Sequence, residues 1–300
     1  MNINKKKLIV IVGPTASGKT TLSIDLAKNI KCSIISSDSR QFYREMNIGT
    51  AKPSLLELKS VPHFFINNLS ILDTYSAGKY AKDVDVFLKD YYKKQDTLIM
   101  VGGSGLFIDS ALKGLDTFPS IPNEIREKLN LDLKLKGLNH LTNLLKEVDL
   151  NYYNNVDLKN PRRVIRGLEV YCASKKPYSS FLKRKTHFRE DIEIKFIGLN
   201  PPREILYSQI DKRVDLMIKN GLLNEVKGLY KHKDLNPLKT VGYSELFSYL
   251  ENKISFEESI NLIKINTKKY YKRQMTWFRK NKEIKWYTDY KNFNEIIKDY

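Results

Sequence analysis

The stretch LIVIVGPTASGKTTL, residues 8 to 22, limits the possible folds more than any other part of the chain. Five strongly apolar residues lead into a glycine-bearing turn, and residues of helical spacing follow from about Lys19 to Asn29. Gly13-Pro14-Thr15-Ala16-Ser17-Gly18-Lys19-Thr20 fits the phosphate-loop pattern G-x-x-x-x-G-K-[ST] in full. Its glycines let backbone N–H groups turn inward, and the helix that follows adds a favourable potential for anions. Lys19 supplies a mobile charge for terminal phosphate oxygens, and the Thr20 hydroxyl is placed to ligate Mg²⁺. Such a loop recognises phosphates and not what they are attached to. A nucleotide hydrolase, a kinase and an enzyme that needs diphosphate only as a leaving group all remain open.

The rest of the first 119 residues repeats the alternation. CSIISS (32 to 37) reads as a second strand ending at Asp38, SAGKYAKDVDVFLKDYYKK (76 to 94) as a helix, and TLIMVGG (97 to 103) as a strand running into a glycine turn. Alternating strands and helices predict an α/β fold, a doubly wound parallel sheet of the phosphate-loop NTPase type. Ligands bind at the carboxyl ends of strands in such sheets. Gly13 to Thr20, Asp38 and Gly102 to Gly105 share that address. From about Ser120 the pattern changes to apolar and charged residues at helical spacing, and IEIKFIGL (192 to 199) returns to a buried strand. The expected organisation is a core of residues 1–119 and 192–300 with a helical C-terminal region, interrupted by a helical insertion over 120–191.

Composition narrows the partners. The 300 residues carry 52 Lys and Arg against 34 Asp and Glu, a net charge of +18, which favours a polyanionic partner over an electroneutral one. No apolar run approaches the roughly 18 residues of a spanning helix. The apolar run after MNINKKK is too short for a signal-peptide core, so the chain is expected to be cytoplasmic, without a membrane. Cys32 and Cys172 match no metal spacing and read as reduced thiols. No pair among the four histidines has ligand spacing.

Several residues carry two readings at this stage. Asp38, in SSDSRQFY, is either a helix N-cap or a carboxylate facing the phosphate site and able to take a proton from a nucleophile. Gly102-Gly103-Ser104-Gly105 is either a tight turn or a close approach to ligand with the Ser104 hydroxyl available. Arg162, Arg163 and Arg166, then Lys183 to Arg189, then Lys264 to Lys285 form basic clusters. The last of these holds nine Lys or Arg against one acid, interleaved with Tyr270, Tyr271, Trp277 and Phe278. Each run alone suits a solvated helix face; three of them around one phosphate site suggest a groove for a nucleic-acid backbone with rings for base stacking.

Taken in order, GPTASGKT, SSDSRQFYREMNIGTAKP, VGGSGLFIDSALKGL, NPRRVIRGLEVY, IDKRVDLMIKNGLLNEV, TVGYSEL and KRQMTWFRK resemble the tRNA dimethylallyltransferases, the IPP transferase family of tRNA prenyltransferases, from about Leu8 to Trp286. The resemblance implies transfer of a dimethylallyl group from dimethylallyl diphosphate to N6 of adenosine 37, in tRNAs reading codons that begin with U. It implies that Thr15 to Thr20 hold the diphosphate with Mg²⁺ on Thr20, and that Asp38, Lys19 and Thr15 carry the chemistry. It places Asp38, Ser39, Arg40 and Gln41, Ser104, Arg126, and Arg162, Arg163, Val164, Ile165 and Arg166 at the tRNA. Ser104 stands where the family often has Thr, and Arg162 where it often has Gln. Arg203 and Arg213 are basic positions that could meet diphosphate or RNA. A monomer gripping the anticodon stem-loop, with the target base flipped out of its stack, is the expected arrangement.

Overall fold

The structure, a computed structural model, describes residues 6–182, 191–289 and 293–298. The chain runs through β1 (Lys6–Val12), α1 (Lys19–Ile30), β2 (Ser33–Ser36), α2 (Leu55–Ser60), β3 (His63–Phe64), α3 (Ala77–Tyr91), β4 (Thr97–Gly102) and α4 (Gly105–Lys113). Three helices follow, α5 (Asn123–Val148), α6 (Leu150–Asn155) and α7 (Pro161–Ser174). The chain then returns through β5 (Ile192–Leu199), α8 (Arg203–Lys219), α9 (Leu222–Leu229), α10 (Tyr243–Leu250), α11 (Phe256–Phe278), β6 (Lys285–Tyr287) and α12 (Phe293–Lys298).

The described residues of the Gly114–His187 segment pack as one compact unit, and the other described residues as another. The helical unit thus begins at Gly114 rather than at 120. Gly114, at φ +73°, turns the chain away after α4, and Phe118 stacks on Tyr178 within the helical unit, 4.7 Å between ring centroids.

The larger unit is built on one six-stranded sheet, every pairing parallel, in the order β3-β2-β4-β1-β5-β6. The apolar runs read from the sequence are strands buried on both faces, as parallel sheets require. Along β1, Leu8, Val10 and Val12 point into one core and Ile9 and Ile11 into the other. β5 divides in the same way, with Ile192 and Phe196 on the first side and Ile197 and Leu199 on the second. Each such side chain contributes roughly 1.5–3 kcal/mol on burial, so the central strands fix the register of everything attached to them. Helix α1 covers the second face with Leu22, Leu26 and Ala27. An aromatic cluster of Phe42, Tyr75, Tyr80 and Phe107 fills part of the first. The Tyr80 hydroxyl donates to the Ser36 carbonyl at 2.9 Å, which ties α3 to the end of β2. Cys32 is a free, buried thiol that burial pushes up to about 12.

In the helical unit, α5 is two helical segments meeting at Gly137, whose φ of +78° admits glycine far more readily than other residues. Leu129, Leu141, Leu145, Val164, Ile165 and Leu168 form its core. Asp149, 4% exposed, accepts from Tyr152 N–H and from both the N–H and hydroxyl of Ser179, which pins the turn carrying Tyr178 to α6. Among the described residues, no helix is long and apolar enough to cross a membrane.

Candidate active site

The carboxyl ends of β1, β2 and β4 surround a cavity of about 480 Å³ in the larger unit. The phosphate loop leaves β1 in a conformation only its glycines permit. A Cβ on Gly13 would lie 2.4 Å from the Leu199 carbonyl oxygen, and Gly18 sits at φ +88° as the N-cap of α1 with no side-chain cap bond. The first N–H groups of α1 therefore have no capping side chain to accept from them. Thr15, Lys19 and Thr20 line the cavity, with Ser23 one turn further along α1. Pro14 contributes its carbonyl, which accepts from Lys19 Nζ at 2.5 Å. Ser17 is 2% exposed, and its hydroxyl has no partner among the described residues. The Ala16 methyl packs against the cluster of Leu206, Ile210, Tyr271 and Met275. The loop thus divides into cavity-facing side chains and residues that shape its course.

Asp38, Ser39, Arg40 and Gln41 line the same cavity from the end of β2. Asp38 is no helix cap: its Oδ1 accepts from the Arg40 N–H at 3.0 Å, within a run of turns. Gln41 is held by Ser36 and donates to the Thr50 and Ala51 carbonyls, closing the loop that forms another wall. Ser104, after β4, acts one layer back. Its oxygen accepts from the Ser39 N–H at 3.0 Å, its hydroxyl donates to Ser39 Oγ at 3.2 Å, and Tyr270 hydrogen-bonds to it as well.

The electrostatics of this cavity are lopsided. Five cationic side chains, Lys19, Arg40, Arg213, Lys239 and Arg273, face two carboxylates, Asp38 and Glu245. Glu245 is occupied by the Gly242 N–H and the Asn266 amide. Burial, with Arg213 adding to it against the opposing pull of Asp38, brings Lys19 down to about 7. Burial also lowers Arg213, which Asp38 partly offsets, although a guanidinium stays charged at any physiological pH. Tyr270 is pushed up to about 12, chiefly by burial and then by Asp38. Two desolvated cations share one carboxylate here, an arrangement that a bound polyanion would relieve.

Of the two basic positions Arg203 and Arg213, the fold brings Arg213 into the cavity from α8. Arg203 instead lies over the Tyr207 ring at 5.0 Å and is not among the cavity-lining residues. Tyr270, Arg273, Gln274 and Thr240 also line the cavity without having been singled out for it. The first three sit in the basic-aromatic C-terminal block, where spacing of four between Tyr270 and Gln274 was the available signal.

The remaining candidates lie in the helical unit. Arg162 and Arg163 are exposed at the start of α7, and with Arg166, Tyr152, Asn155 and Tyr178 they line an open recess of about 520 Å³. Arg166 also lies over the Phe118 ring at 5.2 Å. Arg126 and Arg166 both engage Glu169, which is 3% exposed; Arg126 Nε donates to Oε1 at 2.6 Å, and Arg166 Nη1 to Oε2 at 3.2 Å. Val164 and Ile165 require a correction. They are 0% and 7% exposed and packed in the core of the helical unit, so their side chains are not offered to RNA. The helical period turns these two of five consecutive residues inward. The basic run Lys183 to Arg189 lies outside the described residues.

The family model described as IPP transferase matches residues 41–281. The chain belongs to the IPP transferase family. It is 47% identical over 298 residues to tRNA dimethylallyltransferase of Flavobacterium johnsoniae, covering 97% of this chain and 96% of that protein. The tRNA dimethylallyltransferase of Christiangramia forsetii is 48% identical over 290 residues, covering 97% and 96%. Among solved structures, the tRNA isopentenylpyrophosphate transferase of Bacillus halodurans superposes with a TM-score of 0.72 at 32% identity, over 98% of this chain and 95% of that one. A eukaryotic dimethylallyltransferase acting on tRNA superposes with a TM-score of 0.77 at 28% identity, over 91% of this chain and 70% of that one. The family model begins at residue 41, and the matches to the Flavobacterium and Christiangramia proteins extend over 97% of this chain.

Proposed function

We propose that this chain transfers a dimethylallyl group from dimethylallyl diphosphate to N6 of adenosine 37, in tRNAs reading codons that begin with U. The observation that carries the reading is the cavity in which half-buried Lys19 and Arg213, both lowered by desolvation, stand beside the carboxylate of Asp38. In the reaction the bond between the allylic C1 and the diphosphate oxygen breaks, and the bond between C1 and adenine N6 forms. Inorganic diphosphate departs, and one proton leaves N6. Lys19 and Arg213 neutralise the charge that grows on the departing oxygens, where a water-poor setting makes such pairing strong. Bound diphosphate holds Lys19 protonated, reversing the effect of burial.

The exocyclic amine is a weak nucleophile because its lone pair is conjugated into the purine ring. Asp38 accepts a hydrogen bond from it, orients it toward C1 and takes the proton as the new bond forms. Displacement is loose, with cationic character on the allyl group and no covalent enzyme intermediate. Ser104 keeps the Asp38 loop in place through its bonds with Ser39.

The donor set suits a Mg²⁺ shared with substrate rather than one caged by protein. Thr20 and Ser23 hydroxyls line the cavity, while no group of three or more His, Cys, Asp or Glu gathers among the described residues. Mg²⁺ commonly takes one or two protein ligands and completes its shell with phosphate oxygens and water. When bound it would add Lewis-acid stabilisation of the leaving diphosphate, with Thr20 as its protein ligand. Arg126, Arg162, Arg163 and Arg166 would meet anticodon stem-loop phosphates, and the chain would act as a cytoplasmic monomer. Incubating radiolabelled dimethylallyl diphosphate with an anticodon stem-loop RNA and, separately, with AMP tests the reading. Label is expected in the RNA alone; label entering AMP and not RNA would make the acceptor a free nucleotide.

A further inference from the structure

Gln274, on α11, joins the phosphate loop to the turn after β4. Its side chain is 5% exposed. The Thr15 N–H donates to its Oε1 at 3.0 Å, and its Nε2 donates to the Gly103 carbonyl at 3.0 Å. One neighbour is a pure donor and the other a pure acceptor, so the amide has a single orientation. The approach depends on glycine, because a Cβ on Gly103 would stand 2.3 Å from Nε2. The same helix face touches the turn twice more. Tyr270 hydrogen-bonds to Ser104, and Trp277 lies against Gly105 while donating from Nε1 to Asp109 at 2.8 Å. Of these three contacts, that of Gln274 also reaches the phosphate loop. The next residue of that loop, Ala16, sits at φ +63°, a conformation that persists when its surroundings hold it.

We propose that Gln274 is a positioning residue for the prenyl diphosphate: it fixes the phosphate loop against the β4 turn so that the loop is set before the diphosphate arrives. This rests on reading the cavity as the diphosphate site. The task needs one acceptor and one donor on a short planar group. Leucine has neither, and leaves a backbone N–H and a carbonyl unpaired. Ionised glutamate keeps the acceptor, loses the donor, and turns a second oxygen toward the Gly103 carbonyl. Protonated glutamate regains the donor.

The test is titration of inorganic diphosphate with Mg²⁺, and separately of an anticodon stem-loop RNA, into the wild-type protein, Gln274→Leu and Gln274→Glu at pH 8 and pH 6. Melting curves check that each variant is folded. Gln274→Leu is expected to weaken diphosphate about tenfold at both pH values, the size of one lost hydrogen-bonded contact, with the RNA Kd within about twofold. Gln274→Glu should lose at least as much at pH 8 and recover most of it, relative to wild type, at pH 6. A purely structural role would not reproduce that pH-dependent recovery. Diphosphate affinity unchanged in Gln274→Leu, or Gln274→Glu equally weak at both pH values, overturns the proposal. If Gln274→Leu does not fold, the glutamate variant decides alone. Wild-type protein that fails to bind diphosphate would remove the reading of the cavity and the proposal together, whereas wild-type binding matched by both variants removes only the positioning role.

Discussion

Two groups of buried or half-buried charges, one in each unit, use the same chemistry to opposite ends. In the helical unit, Arg126 and Arg166 share the carboxylate of Glu169, and hydrogen bonding to it raises Arg126 and lowers Glu169 against the cost of burial. In the larger unit, Asp38 offsets the desolvation of Lys19 and Arg213 only in part, and both are lowered. The first cluster is satisfied within the protein and fixes where its arginines stand. The second is left short of negative charge. On the proposed function, a site that awaits a diphosphate is left short of negative charge without it, whereas a scaffold that presents cations to RNA is not. Removing a charge should therefore harm catalysis in the one and modulate binding in the other.

The largest effect is expected at Lys19. Lys19→Ala removes the cation proposed to meet the charge on the departing diphosphate, and should lower single-turnover prenyl transfer by about 10³-fold. Stem-loop RNA affinity should stay within about twofold, since the arginines proposed to hold the stem-loop phosphates stand in the helical unit. A rate within tenfold of wild type would break the contrast. Asp38→Asn comes next. It keeps a hydrogen-bonding group and removes the proton acceptor, so transfer should fall by about 10²-fold at saturating tRNA with diphosphate binding kept or strengthened. A variant that loses tRNA affinity but not rate would make Asp38 a binding residue.

That contrast was only partly visible in the sequence. The glycine loop, Asp38 and the turn at Gly102 were legible because each is a local device: an apolar strand, then residues that its carboxyl end presents. Fold class followed from the same alternation. Arg213 is legible only as a basic position that could meet diphosphate or RNA, and Tyr270, Arg273 and Gln274 not as cavity residues, because they come from α8 and α11, far along the chain, and reach the cavity only through packing. The family motif also misled at one point. NPRRVIRG reads as one block, yet α7 turns Val164 and Ile165 into the core of the helical unit and leaves Arg162 and Arg163 outside. A motif follows the order of the chain, whereas exposure follows the 3.6-residue period.

A smaller effect is expected in the helical unit. Arg126→Ala leaves Glu169 held by Arg166, so the unit should stay folded and its core undisturbed. Stem-loop RNA should bind at most about tenfold more weakly, and the dependence of log Kd on log salt should become shallower by about one counterion. Transfer rate at saturating RNA should be unchanged. An unchanged salt slope would mean that Arg126 serves Glu169 and not the RNA, which would make the helical unit's charges self-contained.

The smallest effect concerns stability, and its sign follows from the depressed lysine. Lys19 titrates near 7 in the folded chain, against about 10.4 when unfolded. Between these values the unfolded chain binds more protons, so stability rises with pH across that window. Below pH 7 both states carry the charge, and the cost of burying it is present in full. Lys19→Met, which keeps the aliphatic stem and removes the charge, should therefore raise Tm at pH 6, by about 2 °C or more for a chain of this size. The gain should shrink through pH 8 and vanish near pH 10, where neither state is charged. Saturating inorganic diphosphate should reverse the order at pH 6, because the anion stabilises wild type and has lost its cation in the variant. Arg126→Met, its charge already balanced by Glu169, should show no such gain at pH 6. A higher Tm there would mean that the helical cluster is as frustrated as the catalytic one.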